Sequence, residues 1–273
     1  MTISIPDTLS VDNSGKYTVS IRLRPDGFSF SGYQPTAANS FFFREINFVK
    51  GESFVEQLKE TFFAHDFFSW MYKRVRIITE TSRYTLVPAN LYNEKRKHEF
   101  LDFTLSDSGA FCLENEWNES IVLYEMDNEV YEFCSRSFID PKFYSHIVTQ
   151  AMFFEQDSLK RESTAQMYAI MRDGAADICT FRQGEMQMLN SFETGRQEDV
   201  LYYILYLWKQ LGLDQEKDLI FIHGKADACN RVIELLRTYL RNVAPVEIPS
   251  EIYFQGVGIN LAPIDIIALS SCE

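Results

Sequence analysis

"YAIMRDGAADICTF" (168–181) reads as an apolar run, a tight Arg-Asp-Gly and a second apolar run. "YTVSIRLRPDGFSFSGY" (17–33) has the same outline. In the earlier stretch Tyr17, Val19, Ile21 and Leu23 alternate with Thr18, Ser20, Arg22 and Arg24. That period of two describes a strand with one face in a core and the other toward water. Pro25 presets φ at the first corner, Gly27 accepts a positive φ, and Phe28 and Phe30 resume the alternation. Residues 17–33 are therefore expected to form a hairpin, and residues 168–181 a second one.

The surroundings of the two hairpins also match. After the first come "SFFFREINF", a third apolar run, and "GESFVEQLKETFFAHDFF" (51–68), where Phe54, Leu58 and Phe62 recur every four residues as on an amphipathic helix. "VRIITE", "RYTLVP", "FLDFTL" and "SIVLYEM" read as strands, and "NEVYEFCSRSF" has helical spacing at Val130, Phe133, Cys134 and Phe138 without excluding a strand. After the second hairpin, a turn at Gln183-Gly184 leads into the strand "EMQMLNSF". A helix follows with the stripe Val200, Ile204, Leu207, Trp208 and Leu211. Thr194 and Gln197 have capping-box spacing at its start, and Gly212 ends it. "DLIFI" suits a buried parallel strand. The next helix carries Val232, Leu235, Leu236, Tyr239 and Val243 on one face, with Arg231, Glu234, Arg237 and Arg241 toward water, and "VEIP" suggests a last strand. Each half thus opens β-β-β-α-β. The polar stretch "EQDSLKREST" (155–164) is the expected boundary, giving subdomains 1–160 and 161–273.

Composition narrows the function classes. The 273 residues are 46% hydrophobic and 24% charged, enough for a full globular core, and the 23 Phe and 14 Tyr are expected to fill it. A net charge of −13 has the wrong sign for neutralising phosphates, so no nucleic-acid partner is expected. "EKRKH" (94–98), the one dense basic run, reads as a solvated turn or helix end. Cys112, Cys134, Cys179, Cys229 and Cys272 have neither zinc-site nor disulfide-framework spacing and are expected to be buried free thiols. No metal site is expected, since His65, His98 and His146 share no ligand spacing. No signal-peptide pattern or membrane span is legible, and a cytoplasmic location is expected.

A duplicated β-β-β-α-β unit resembles the actin-like ATPase fold, related to ribonuclease H, over nearly the whole chain. More narrowly, "NSF" followed by "EDVLYYILYLWKQLGL" (Asn190 to Leu213), "YTLVP" (Tyr84 to Pro88) and the final "CE" resemble an uncharacterised bacterial family with a degenerate version of that fold. Actin-like pilus-assembly proteins are a more distant likeness. The resemblance implies an α/β protein with mixed sheets and two related subdomains. It also implies where a nucleotide would sit: on an Asp-x-Gly in each first hairpin, and on a Gly-Gly pair after the late strand of the second half. The matching residues are Asp26 and Gly27, Asp173 and Gly174, and the group His223, Gly224 and Lys225 in "FIHGKADA". In each hairpin Asp and Gly are adjacent instead of spaced by one, Pro25 lacks an amide donor, Phe28 is expected to add bulk at the phosphate position, and one Gly of the pair remains. Arg24 and Arg172 are read as solvated strand ends or as anion contacts. No intact ATPase, nuclease or hydrolase motif is present. The expectation is a non-catalytic binding or assembly protein, without a cofactor, that associates with a protein partner or with itself. The alternative is an ATP-binding switch or weak ATPase holding Mg-ATP on drifted motifs. A third reading is an enzyme using His223 and Lys225 on a small acidic or phosphorylated ligand.

Overall fold

Both Asp-Gly stretches turn a pair of antiparallel strands, and everything else is added to those hairpins in the same order. A computed structural model describes residues 3–106, 108–161 and 164–271. In the first half β1 (Thr18–Arg24), β2 (Gly27–Tyr33) and β3 (Phe42–Asn47) lead through α1 (Phe54–Phe63) to β4 (Arg74–Thr79). An insertion follows, of β5 (Tyr84–Pro88), α2 (Lys97–Thr104), β6 (Phe111–Trp117) and β7 (Ser120–Met126). Then come α3 (Asn128–Ser137), β8 (Lys142–Ser145) and α4 (His146–Ser158). The second half repeats the plan without the insertion. It runs β9 (Ala165–Arg172), β10 (Ala175–Arg182), β11 (Glu185–Glu193), α5 (Gln197–Gln210), β12 (Leu219–His223), α6 (Ala226–Leu236), β13 (Asn242–Pro245) and α7 (Ile264–Ser271). The two five-stranded sheets have the equivalent orders β3-β2-β1-β4-β8 and β11-β10-β9-β12-β13. In each, the hairpin strands are antiparallel and the late strands parallel to the first. This is the expected duplicated α/β architecture with mixed sheets.

The chain divides into two compact units, Met1–Thr149 with Pro249–Glu273, and Gln150–Ile248. These units do not follow the expected boundary at 160/161: most of α4 belongs to the second unit, and α7 belongs to the first. In the first unit, one face of the sheet meets α1 and α3 through an aromatic core. Phe30 stacks on Phe67 with ring centroids 5.5 Å apart and touches Phe42 and Phe68. Phe28 lies in this core against Phe48 and Phe68, so it does not occupy a phosphate position as expected. The other face corrects the sequence reading. Thr18, Ser20 and Arg22 were read as facing water, yet all are buried. Two of the buried charges on this face are matched there: Arg22 Nε donates to Asp265 Oδ2 at 2.6 Å and its Nη2 meets Glu80 at 2.6 Å, and Arg76 Nη1 donates to the Leu269 carbonyl in the last turn of α7 at 2.6 Å. A cation at a helix C-terminus also opposes the helix dipole favourably.

The second sheet has the same two-faced burial with different chemistry. Val200, Ile204 and Trp208 of α5 and Cys229, Val232, Ile233 and Leu236 of α6 cover one face. The buried stripe of α6 is thus shifted from the expected one, and Leu235 and Tyr239 are exposed. On the opposite face Tyr168 stacks between Phe154 (4.3 Å) and Phe221 (5.2 Å), and its hydroxyl donates to Asp157 at 2.8 Å. Cys112, Cys134, Cys179 and Cys229 are free and buried. Burial pushes the thiols of Cys112 and Cys229 up to about 11, that of Cys134 to about 12, and that of Cys179 well above its ordinary value. Cys272 and the final Glu273 lie outside the described residues.

Other local expectations shift for identifiable reasons. "FLDFTL" is helical in α2, because Leu101 and Leu105 sit one turn apart while Phe103 is 91% exposed and has no strand face to fill. β6 escapes the apolar pattern because Asn115 points inward, where its amide donates to Phe143 O and its oxygen accepts from Ser145 N. α5 starts at Gln197 after Arg196, so Thr194 is not its cap; the Asp199 carboxylate instead accepts from the amides of Gly195 and Arg196, at 2.8 Å each. The last strand is β13 and not "VEIP". α3 is a helix, Gln183 and Gly184 both have the positive φ of a type I′ turn, and Gly212 ends α5 at φ 61°.

The two hairpin turns differ in a way that glycine substitution reads out. Gly27 has φ 149°, and a Cβ there would lie 2.1 Å from the Ile46 carbonyl oxygen; Gly174 has φ 77° and open space around it. Gly27→Ala should therefore lower unfolding free energy by more than about 3 kcal/mol, as a backbone clash in a sheet adds to the conformational strain. Gly174→Ala should cost only about 1 kcal/mol, the strain alone. Urea unfolding of the two variants checks the order.

Candidate functional site

The site residues expected from sequence fall at the C-terminal ends of parallel strands, where α/β sheets commonly bind ligands. Asp26 and Gly27 lie in the first unit; Asp173, Gly174, His223, Gly224 and Lys225 lie in the second. In the second unit, β9 and β12 are adjacent and parallel, with His223 opposite Ile170. This brings the Asp173-Gly174 turn beside the residues that follow β12. Lys225 Nζ meets both carboxylate oxygens of Asp173, at 2.8 and 2.9 Å, with both side chains largely exposed. Gly224 has φ 150°, and a Cβ there would come within 3.0 Å of Met171 O and 3.1 Å of Met171 Cβ. Glycine is thus required at 224 by the approach of its own sheet. Arg172 is neither solvated nor an open anion contact. Its Nε and Nη2 each donate at 2.7 Å to Asp177, which is 1% exposed and also accepts from Ser191 Oγ at 2.6 Å.

Strand register shows that the two Asp-Gly pairs are not equivalent. Arg24 pairs with Gly27 across the first hairpin, and Arg172 pairs with Ala175 across the second. Pro25 and Asp173 therefore share a position, as do Asp26 and Gly174: the dipeptide is slipped by one residue. Pro25-Asp26 has no positive φ, as in a type I turn with glycine just after its corners. Asp173-Gly174 has positive φ at the second corner alone, where a type II turn needs glycine. In the first turn Arg24 is drawn to Asp26 (3.3 Å), Glu45 (3.6 Å) and Asn47 (2.8 Å).

Sequence reading missed a cavity of about 480 Å³ in the first unit. It lies at the ends of β1 and β4, beside the N-termini of α1 and α3, and its lining includes Arg24, Glu56, Glu80, Asp127 and Glu129. Ser53 Oγ accepts from Glu56 N at 3.4 Å and Asp127 Oδ1 from Val130 N at 3.0 Å, so both helix starts are capped from within the chain. The convergence of these two caps at one edge follows from the sheet topology. Among the described residues, no group of three or more His, Cys, Asp or Glu side chains is arranged to hold a metal ion, and no helix is long and apolar enough to cross a membrane.

Comparison with known proteins bears on this arrangement. The model of a family described as "Protein of unknown function (DUF3822)" matches residues 6–243. The chain belongs to this family. A crystal structure from Bacteroides thetaiotaomicron VPI-5482, of a protein with actin-like ATPase fold and unknown function, is similar to this DUF3822 chain at 30% identity and TM-score 0.84, covering 97% of this chain and 100% of the other. The PilM-PilN type IV pilus biogenesis complex contains a chain of the same fold, with 12% identity and TM-score 0.55 over 93% of this chain and 96% of the other. The cytoplasmic domain of EpsL, from the type II secretion system of Vibrio cholerae, has 9% identity and TM-score 0.45 over 93% and 94%. No curated protein matches the chain. DUF3822 membership and the actin-like fold agree with the resemblance drawn from sequence.

The two ion pairs beside the second-unit turn should separate by burial. Arg172→Ala strands the buried Asp177 and should cost about 3–5 kcal/mol. Lys225→Ala breaks an exposed pair and should change stability by less than about 1 kcal/mol. Thermal and urea unfolding measure both.

Proposed function

We propose that this protein is a non-catalytic binding or assembly module on an actin-like fold, that it works through a protein partner or self-association, and that Mg-ATP is not its ligand. One observation carries the reading: the charged side chains at the strand ends are already engaged within the chain. Arg172 is committed to Asp177, Lys225 to Asp173, and Arg24 to Asp26, Glu45 and Asn47. A phosphate arriving at either group would compete with a carboxylate already beside each cation, and at the first-unit cavity it would meet further carboxylates. The Lys225–Asp173 pair and the close approach of Gly224 to Met171 likewise favour a structural role over catalysis on a small acidic ligand. The occurrence of this fold in the PilM-PilN complex is consistent with assembly. Buried free thiols suit a reducing compartment such as the cytoplasm.

The deciding experiment compares melting temperature with and without about 1 mM Mg-ATP. A ligand with Kd near 10 μM would then stand at about 100 times Kd and stabilise by about 2.7 kcal/mol. At about 2–4 °C per kcal/mol this is a rise of several degrees. The proposal expects no such rise. A reproducible rise, abolished by Asp173→Ala or Gly224→Val, would establish the nucleotide switch instead.

A further inference from the structure

The first-unit cavity has a chemical character of its own. Its apolar lining comes from Leu23, Met126 and Val130, all buried, and from Phe54 and Val55, which are partly exposed. Of its carboxylates, Glu80 is spent on Arg22 at 2.6 Å and Asp127 caps α3. Glu56 and Glu129 are exposed and enter no hydrogen bond or ion pair through their carboxylates among the described residues. They stand in the first turns of α1 and α3, on the two sides of the cavity. Each helix N-terminus carries roughly half a positive charge. Two such ends do not cancel Glu56, Asp127 and Glu129, and Arg24 is drawn toward Asp26 and Glu45. The rim is therefore negative above an apolar floor, and the whole chain, at −13, adds a field of the same sign. The volume of about 480 Å³ falls in the range of ligand-binding cavities.

We propose that this cavity docks a short partner segment in which apolar side chains alternate with basic ones, the apolar chains entering between α1 and α3 and the basic chains meeting Glu56 and Glu129. The inference rests on the binding-module reading and supplies the chemistry of its partner. Charge complementarity selects the occupant: an acidic or phosphorylated segment would face uncompensated carboxylates, and a purely apolar one would leave them without partners.

The test is fluorescence anisotropy of the intact protein with a labelled peptide of about eight residues alternating arginine and leucine, compared with one alternating glutamate and leucine. The proposal expects binding of the first peptide only, weakened about tenfold by Glu56→Gln with Glu129→Gln, since two solvent-facing ion pairs are lost together. Glu132→Gln, a charge removed from the same helix outside the cavity lining, should leave binding unchanged. Spermidine at matched positive charge should displace the peptide poorly, because it offers no apolar side chains. Absence of binding, an equal loss in Glu132→Gln, no loss in the double variant, or full displacement by spermidine would each overturn the proposal. None of these outcomes involves nucleotide, so they are separable from the Mg-ATP result that bears on the module reading.

Discussion

The Arg22 guanidinium, held between Glu80 and Asp265, is the contact on which the first unit turns. β1 is the middle strand of its sheet, flanked by β2 and β4, and Arg22 stands on the face turned away from the aromatic core. An arginine there can be buried only if its charge is matched and its donors are satisfied, because an uncompensated buried ion costs several kcal/mol. Glu80, just beyond β4, and Asp265, in the first turn of α7, supply the match. Arg76 repeats the logic one strand over by ending on the Leu269 carbonyl. Together they tie both ends of the last helix to the first sheet. The C-terminal residues are thereby structural components of a unit whose sheet was built by the start of the chain.

The second unit covers the face opposite its main core chiefly by aromatic stacking, and its matched charge on that face is the Arg172–Asp177 pair at the strand end. Tyr168 occupies the face opposite its main core, stacked between two phenylalanines, and Arg161 lies 4.8 Å from the Phe221 ring. The difference explains what was legible in the sequence. Hairpins, the parallel "DLIFI" strand and the helices after each third strand were readable, because each depends on turn chemistry or on a local period. The burial of Thr18, Ser20 and Arg22 was not, because a polar alternating face looks the same beneath a distant helix as it does in water. β6 was hidden by Asn115, an inward polar residue satisfied by backbone groups far away in sequence.

The candidate site was legible to the same degree. Position along the chain placed Asp173 and Lys225 near strand ends, and the parallel pairing of β9 with β12 makes them neighbours. Matching the two Asp-Gly dipeptides suggested an equivalence that strand register dissolves, since a two-residue loop is defined by its flanking pair and not by its composition. Gly224 shows how a glycine in a suggestive place can be demanded by Met171 of its own sheet. The acidic cavity needed α1 and α3 to be seen starting at the same edge. At the strand ends of this actin-like fold Arg172 is held by the buried Asp177, while the Lys225–Asp173 pair stays exposed.

Unfolding free energies of variants at the Arg22 cluster show whether these inward charges hold the fold together. Arg22→Met alone strands two buried carboxylates and should cost about 3–5 kcal/mol. Adding Glu80→Gln and Asp265→Asn to it removes those charges, and the account predicts that much of the loss returns. A loss that instead grows by the sum of the separate substitutions would contradict it.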